Sequence, residues 1–116
     1  MPDDFSISDS LNRGRTVLLR IRGRLDTKSA SHLLRRCSAV SNAGQNLVLN
    51  LAEVSFIASS GIGALLALVE QFKETTGTVR FASLSSAVSS VIQLLNLDQF
   101  LTIDPSEDDA LAALEA

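Results

Sequence analysis

Apolar residues recur along this chain with two spacings, and the spacing changes several times between the two ends. Apolar and polar residues alternate over 4–9 and 15–24, as in strands with one buried side and one side in solvent. The intervening Asn12-Arg13-Gly14 is typical of a tight turn, which predicts an opening hairpin. Short apolar runs at 47–51 and 78–82 predict two further strands, of which the first is central in a sheet.

Helical spacing separates these strands. Apolar residues three or four positions apart predict a helix over 27–42, with Asp26 or Thr27 as its N-cap and Gly44 closing it. A strand-like run from Val54 then breaks at two serines, after which an apolar stripe predicts a second helix that ends at Gly77. The strand, the serine turn and the helix follow one another directly.

The last third of the chain is predicted to contain two shorter helices. Ser85 suits the N-cap of a helix that stops near Asn96. The segment Asp104-Pro105-Ser106-Glu107 offers a capping residue, a proline for the first helical position and an acid, which predicts the start of a final helix after 100–103. Strands and helices in this order indicate an α/β layer architecture.

Composition limits what such a chain does. Its 116 residues, 46% of them hydrophobic, fit a single domain over 1–116 with a core from about residue 4 to 115. Neither of the most apolar runs approaches the roughly 20 residues that cross a bilayer, so no direct membrane insertion is expected. Cys37 is the single cysteine, which excludes an internal disulfide, and its apolar neighbours place it on a buried helix face. We therefore expect a cytoplasmic protein.

Charge is distributed unevenly, although the net charge is only −3. Eight of the ten basic residues lie between Arg13 and Arg36, whereas nine of the thirteen acids lie from Glu53 onward. Arg20, Arg22 and Arg24 alternate with apolar residues, which favours a solvated strand face and leaves open a surface for an acidic protein partner. The acidic balance and the absence of Trp and Tyr argue against nucleic acid as a partner.

The serine turn is the strongest candidate for chemistry. Ser59 and Ser60 precede a helix, where backbone N–H groups and the helix dipole favour a negative charge such as a phosphate. The structural alternative is a simple cap, in which one hydroxyl accepts a backbone N–H bond. A catalytic serine is disfavoured because the Gly-x-Ser-x-Gly context is missing and His32, a surface residue of the first helix, has no identifiable acid partner. One Cys and one His provide no recognised metal site, and no phosphate-cradling glycine motif is present.

Three segments, in their order and spacing, resemble the STAS domain of the anti-sigma factor antagonist type. They are Gly23-Arg24-Leu25-Asp26, Ala58-Ser59-Ser60-Gly61-Ile62-Gly63, and Leu94-Leu95-Asn96-Leu97 running on through 100–103. The resemblance covers about residues 4 to 115. It implies an α/β fold with a mixed sheet of four to five strands packed with about four helices.

The resemblance also implies a regulatory binding protein and not an enzyme. In this family the unphosphorylated antagonist binds a serine kinase that is itself an anti-sigma factor, and phosphorylation by that kinase ends the binding. The family's phosphorylated serine matches Ser59, with Ser60 as a second candidate. A phosphatase would reverse the modification, and the kinase would supply ATP and magnesium, so no cofactor is expected on this chain.

The partner-binding surface implied by the resemblance surrounds this turn. Gly61 and Gly63 would let another backbone approach closely, while Ile62 and Leu66 either extend the contact or belong to the core. The full set of expected contact residues is Ala58, Ser59, Ser60, Gly61, Ile62, Gly63, Leu66, Arg24 and Asp26.

One residue departs from the family pattern. Ala58 stands where the family usually has an acid immediately before the acceptor serine, so the charge beside the hydroxyl is missing. Two alternatives therefore stay open. The chain could be a STAS subunit that is not switched and binds other STAS proteins in a larger signalling assembly, or an accessory subunit of a membrane transporter.

Overall fold

The described residues form five strands and four helices, which alternate after an opening pair of strands. The computed structural model describes residues 4–115, with only the backbone described at residues 10–13, so the predicted domain's residues 1–3 and 116 lie outside the described residues. The strands are β1 (Ser6–Arg13), β2 (Thr16–Leu25), β3 (Asn46–Ile57), β4 (Val79–Ala82) and β5 (Ile103–Asp104). The helices are α1 (Thr27–Asn42), α2 (Ser59–Lys73), α3 (Ser86–Leu94) and α4 (Glu107–Glu115), and a 3-10 helix spans Leu97–Gln99.

The strands make one mixed sheet in the order β1-β2-β3-β4-β5. β1 is antiparallel to β2, and the other neighbouring pairs are parallel. The opening hairpin is confirmed, although its two-residue turn is Gly14–Arg15 and not the predicted Asn12-Arg13-Gly14. Gly14 has a φ of 58°, a conformation that glycine adopts without steric cost. The predicted α/β fold with a mixed sheet is confirmed.

The two faces of the sheet are covered unequally. Inward side chains such as Leu19, Leu49 and Phe81 are fully buried in a large core that they share with α1, α2 and α3. Because successive strand residues point to opposite faces, the neighbouring Leu18 and Val48 belong to a second, smaller core under α4. The long connections after β2, β3 and β4 therefore lie on one face, which brings the starts of their helices to one edge of the sheet.

β3 is longer than the predicted strand at 47–51. It runs to Ile57 because its pairing with β2 shifts register twice, with one extra β3 residue at each shift, between Asn50 and Glu53 and between Val54 and Phe56. The buried positions Leu51, Val54 and Ile57 are therefore three residues apart. This spacing is neither that of a regular strand nor that of a helix, which is why alternation alone divided the strand in two.

β1 spans Ser6–Arg13 and not the predicted 4–9, and one boundary of each of two helices also differs from the prediction. α2 ends at Lys73 and not at Gly77, where a Cβ would clash with the carbonyl oxygen of Gln45. That glycine is required by a close backbone approach after the helix. α4 begins after Ser106, whose Oγ accepts the backbone N–H of Asp109 at 3.1 Å, so Pro105 precedes the cap.

Asp104 is a strand residue and not the predicted cap of the last helix. Its carboxylate is buried and accepts two hydrogen bonds from the Arg80 guanidinium, at 2.8 and 3.0 Å. A bidentate pair of this kind compensates for the desolvation of the carboxylate in β5. Within residues 4–115, no helix combines the length and the apolar character needed to cross a membrane.

Candidate functional site

The starts of α1 and α2 lie side by side at the carboxyl edge of the sheet. β2 and β3 are parallel and pair Leu25 with Ile57, so each helix begins two residues after a paired strand end. The Thr27 hydroxyl donates a hydrogen bond to the Ser60 Oγ at 3.2 Å, which joins the first turns of the two helices. Both helix dipoles therefore direct their positive ends to this edge.

The start of α1 is closed by its own side chains. Asp26 is the N-cap, as predicted, and its carboxylate accepts the backbone N–H of Ser29 at 3.2 Å. In return the Ser29 Oγ accepts the Asp26 N–H at 2.8 Å, which completes a capping box. The hydrogen bonds from the Ser29 N–H and hydroxyl hold the pKa of Asp26 below its ordinary value. Asp26 therefore has a structural role in addition to its expected place near a partner.

The start of α2 has no side-chain cap. Its N-cap is Ala58, whose side chain can accept no hydrogen bond, while its backbone N–H donates to the Leu25 carbonyl at 2.9 Å. Ser59 is the first helical residue and is exposed, and Ser60 follows half-buried. The structural alternative, in which one of these serines caps the helix, is wrong because both lie inside the helix and not at its N-cap.

The two glycines of the turn differ in their surroundings. A Cβ on Gly61 would lie 2.7 Å from the Leu25 carbonyl oxygen and 2.8 Å from the Ile57 Cγ1, so the missing side chain lets α2 pack against the sheet. The expectation that Gly61 admits a partner's backbone is wrong, because Gly61 is buried. Gly63 is exposed on the open surface, and a Cβ added there would meet no other atom within 4 Å.

The apolar residues of the turn divide in the same way. Ile62 is 8% exposed and belongs to the large core, so the core alternative for it is confirmed. Leu66 packs against that core but is only partly buried. On a helix, Ser59, Gly63 and Leu66 follow at intervals of four and three residues and so share one face. That face is the accessible part of the predicted contact surface.

Arg24 reaches the outer face of the sheet beside this edge. Its guanidinium carbon lies 4.1 Å from the centre of the Phe56 ring, and Phe56 is 39% exposed. An arginine at this distance makes a cation–π contact that keeps both side chains in place at the surface. The position of Phe56 cannot be predicted from alternation along the sequence, because the register shifts of β3 determine that this residue points away from the core.

The described side chains that could act as nucleophiles or ligands differ in exposure. Ser59 presents an exposed hydroxyl beside two helix N-termini, where a negative charge is favourable. His32, as predicted, lies on the surface of α1, where its ring packs edge-on against Phe5 at 5.5 Å. Burial raises the pKa of the Cys37 thiol to about 12, which suits a core residue and not a nucleophile. Among residues 4–115, no group of three or more His, Cys, Asp or Glu side chains is arranged to hold a metal ion.

Three known proteins that are similar to this chain are all named as anti-sigma factor antagonists. An anti-sigma F factor antagonist of Lysinibacillus sphaericus is 26% identical over 98 residues, which cover 83% of each chain. The crystal structure of an anti-sigma factor antagonist from Mycobacterium paratuberculosis superposes with a TM-score of 0.83 at 27% identity, over 100% of this chain and 98% of the other. Unphosphorylated SpoIIAA, also an anti-sigma factor antagonist, has the same fold, with a TM-score of 0.77 at 21% identity over 95% and 96% of the two chains.

The family-level match covers most of the chain. The family model described as the STAS domain matches residues 9–110, from the first strand of the sheet to the final helix. This range contains both helix starts, the serine turn and the Arg24–Phe56 contact. The chain belongs to the STAS domain family.

Proposed function

We propose that this chain is a cytoplasmic anti-sigma factor antagonist that binds an anti-sigma factor serine kinase and is released when the kinase phosphorylates Ser59. The observation that carries the proposal is the exposed Ser59 hydroxyl at the first position of α2, beside the start of α1. The similarity to proteins named as anti-sigma factor antagonists supports the same role. The activity is partner binding, and the kinase supplies the catalytic chemistry.

The proposed switch acts through charge at the interface. A phosphate on Ser59 adds about −1.5 to −2 charges near neutral pH. The fold tolerates this charge because the two helix dipoles stabilise an anion at this edge. A partner pressed against the same edge has to desolvate the phosphate or meet it with a cation, so its binding weakens.

Ser59 is a better acceptor than Ser60. Its side chain is exposed and makes no hydrogen bond within the described residues. Ser60 is half-buried, and its hydroxyl accepts the hydrogen bond from Thr27. A kinase therefore reaches Ser59 without disturbing the contact between α1 and α2.

The partner's contact surface extends from Ser59 along the accessible face of α2. Gly63 and Leu66 continue this face over roughly 10 Å, given the rise of 1.5 Å per helical residue. Arg24 and Asp26 border the same edge on the side of β2 and α1. This surface combines a small residue, a partly buried leucine and a cation, which suits a partner with an apolar centre and an acidic rim.

The test compares Ser59→Ala, Ser59→Asp and Ser59→Glu in binding to the anti-sigma factor kinase of the same cells. We expect Ser59→Ala to bind as the wild type does and the acidic variants to bind at least about tenfold more weakly, with thermal stability almost unchanged. Ser86→Asp is the matched control, because Ser86 is the exposed first residue of α3 and starts a different helix. Equal binding by Ser59→Asp and Ser86→Asp would contradict the switch.

A second function is favoured by Ala58. Without an acid before Ser59, the chain could bind a STAS partner constitutively as a subunit of a larger signalling assembly. Intact-mass analysis of the protein from its own cells, with and without phosphatase treatment, separates the two functions. A phosphate on Ser59 supports the switch, whereas an unmodified Ser59 under all growth conditions, together with large particles on size exclusion, supports the assembly.

A further inference from the structure

A cleft of about 460 Å³ lies between the first described residues and the outer side of α1. Phe5 forms one wall, and the first three turns of the helix form the other. Arg24 borders the cleft at the end nearest the serine turn. Its volume falls in the range of clefts that hold small organic molecules.

Basic side chains line the helical wall of this cleft. Lys28, His32 and Arg35 are spaced by four and three residues, which places them on one face of α1, and all three are exposed. Within the described structure, neither Lys28 nor Arg35 makes an ion pair. Arg36, the next residue, does not line the cleft and is paired with Asp9 at 2.9 Å. The helix therefore lines the cleft with two cations that form no ion pair and keeps its paired arginine outside.

The carboxylates in the cleft cancel only part of this charge. Asp26 lines the cleft, but its carboxylate is held by the Ser29 N–H and hydroxyl at the positive end of α1. Asp4 supplies one further negative charge in the lining. Three permanent cations, Arg24, Lys28 and Arg35, face these two acids, so the balance of charge favours an anion.

An aromatic surface lies beside the cations, because the Phe5 ring meets the ring of His32, which lies between Lys28 and Arg35 on the same face of α1. The Phe5 ring packs against the core on one side and meets the His32 ring edge-on at 5.5 Å, with 66° between the ring planes. A flat apolar group can lie against these rings, while a charged group on the same molecule reaches the lysine and the arginine. The cleft thus offers complementary surfaces to two parts of one ligand.

We propose that this cleft binds a small organic anion with a flat apolar body, whose carboxylate or phosphate group is held by Lys28 and Arg35. The body of the ligand lies against Phe5 and His32. The binding does not depend on the proposed phosphorylation of Ser59, and its failure would leave that proposal intact. An effect of the bound ligand on partner binding would rest on the proposed function, because Arg24 and Asp26 line this cleft and also belong to the expected partner surface.

The test is an NMR titration of the full chain with three probes that share one ring system. They are 2-naphthoate, 2-naphthyl phosphate and the neutral 2-naphthol. We expect at least one anion to shift the backbone amide signals of Phe5, Lys28 and His32, and 2-naphthol to bind at least about tenfold more weakly. A preference between the two anions identifies which acidic group the site takes.

Paired variants locate the binding. Lys28→Gln combined with Arg35→Gln is expected to weaken the bound anion at least about tenfold, whereas Arg36→Gln, the matched control, changes it less than about twofold. The three substitutions are at surface positions of one helix, so the fold is retained. The proposal would be overturned if 2-naphthol bound as tightly as the anions, or if Arg36→Gln weakened binding as much as the double variant. It would also be overturned if the shifts centred on Phe100, an exposed aromatic residue outside the cleft.

Discussion

α1 and α2 start in the same way and are completed differently. Each begins two residues after a strand, in the sequences Leu25-Asp26-Thr27 and Ile57-Ala58-Ser59, and the two strands are parallel neighbours. At α1 the N-cap carboxylate and Ser29 satisfy each other's backbone N–H groups. At α2 the N-cap is an alanine with no side-chain hydrogen bond.

The two helix starts therefore differ in what stabilises them and in which backbone N–H groups are available to an anion. The capping box of α1 stabilises the helix and occupies the Ser29 N–H, one of the donors that an outside anion would need. The start of α2 is held instead by packing, through the close approach of Gly61 to Leu25. Its first N–H groups receive no bond from the N-cap side chain, so a phosphate on Ser59 finds donors that are still available.

The largest expected effect tests this packing. Gly61→Ala places a Cβ 2.7 Å from the Leu25 carbonyl oxygen, and backbone atoms cannot move away as a flexible side chain would. We expect the free energy of unfolding to fall by roughly 1–3 kcal/mol, measured by urea denaturation. The control is Gly63→Ala, two residues along the same helix with nothing nearby, which should gain about 0.5–1 kcal/mol from helix propensity. Equal effects of the two substitutions would show that packing does not hold the start of α2.

The next effect adds the missing cap. The extended backbone of Ala58, with φ −89° and ψ 172°, suits a capping side chain. Ala58→Ser is therefore expected to raise the free energy of unfolding by about 0.5–2 kcal/mol in thermal or urea denaturation. Ala58→Asp should stabilise the helix at least as much, because its charge also interacts with the dipole.

The same pair of variants sharpens the comparison with α1. A carboxylate at residue 58 repels a phosphate on Ser59, whereas a serine hydroxyl does not. We compare the free energies of unfolding of Ser59→Glu and Ser59→Ala. The difference in favour of Ser59→Glu should therefore be smaller when residue 58 is Asp than when it is Ser. An unchanged difference would mean that the uncapped start of α2 has no bearing on a charge at Ser59.

The helices and strands of this fold are easier to predict from the sequence than the roles of individual residues. The bounds of α1, with Asp26 or Thr27 as its N-cap, were predictable because capping residues and helical spacing are local signals, and Asp26 is the cap in the structure. The role of Gly61 was not predictable, since it depends on Leu25 and Ile57, which meet it only in the folded sheet. Phe56 escaped for the same reason, because its outward direction follows from register shifts between β3 and β2. Features set by neighbouring residues, such as helix caps, can be predicted from this sequence. Contacts between segments that meet only in the folded sheet cannot.

A smaller effect tests the charge of the capped start. Because the pKa of Asp26 is depressed in the folded state, its carboxylate contributes stability above its unfolded pKa, and this contribution is lost as pH falls through the folded pKa. Asp26→Asn keeps a capping side chain without the charge. We expect the variant to be less stable than the wild type at pH 7, and the gap to close below about pH 4 in urea denaturation.

Glu107 does not obscure this comparison. Hydrogen bonds from Arg20 and Asn50 also depress the pKa of Glu107, so it too loses stabilising charge in acid, but it does so equally in both proteins. A gap that stays constant from pH 7 to pH 3 would contradict a role for the Asp26 charge and leave only the shape of its side chain.

The smallest expected effect concerns the single hydrogen bond between the two helix starts. Thr27→Val removes the donor to the Ser60 Oγ at 3.2 Å but keeps a similar side-chain volume and helix propensity. Because this bond is exposed, we expect a double-mutant cycle of Thr27→Val and Ser60→Ala to give a coupling of about 0.5 kcal/mol or less. A coupling well above 1 kcal/mol would mean that side chains join the two starts. A small coupling would mean that the parallel pairing of Leu25 with Ile57 and the packing of Gly61 align the two helix starts. Ser59 can then be modified without moving α1.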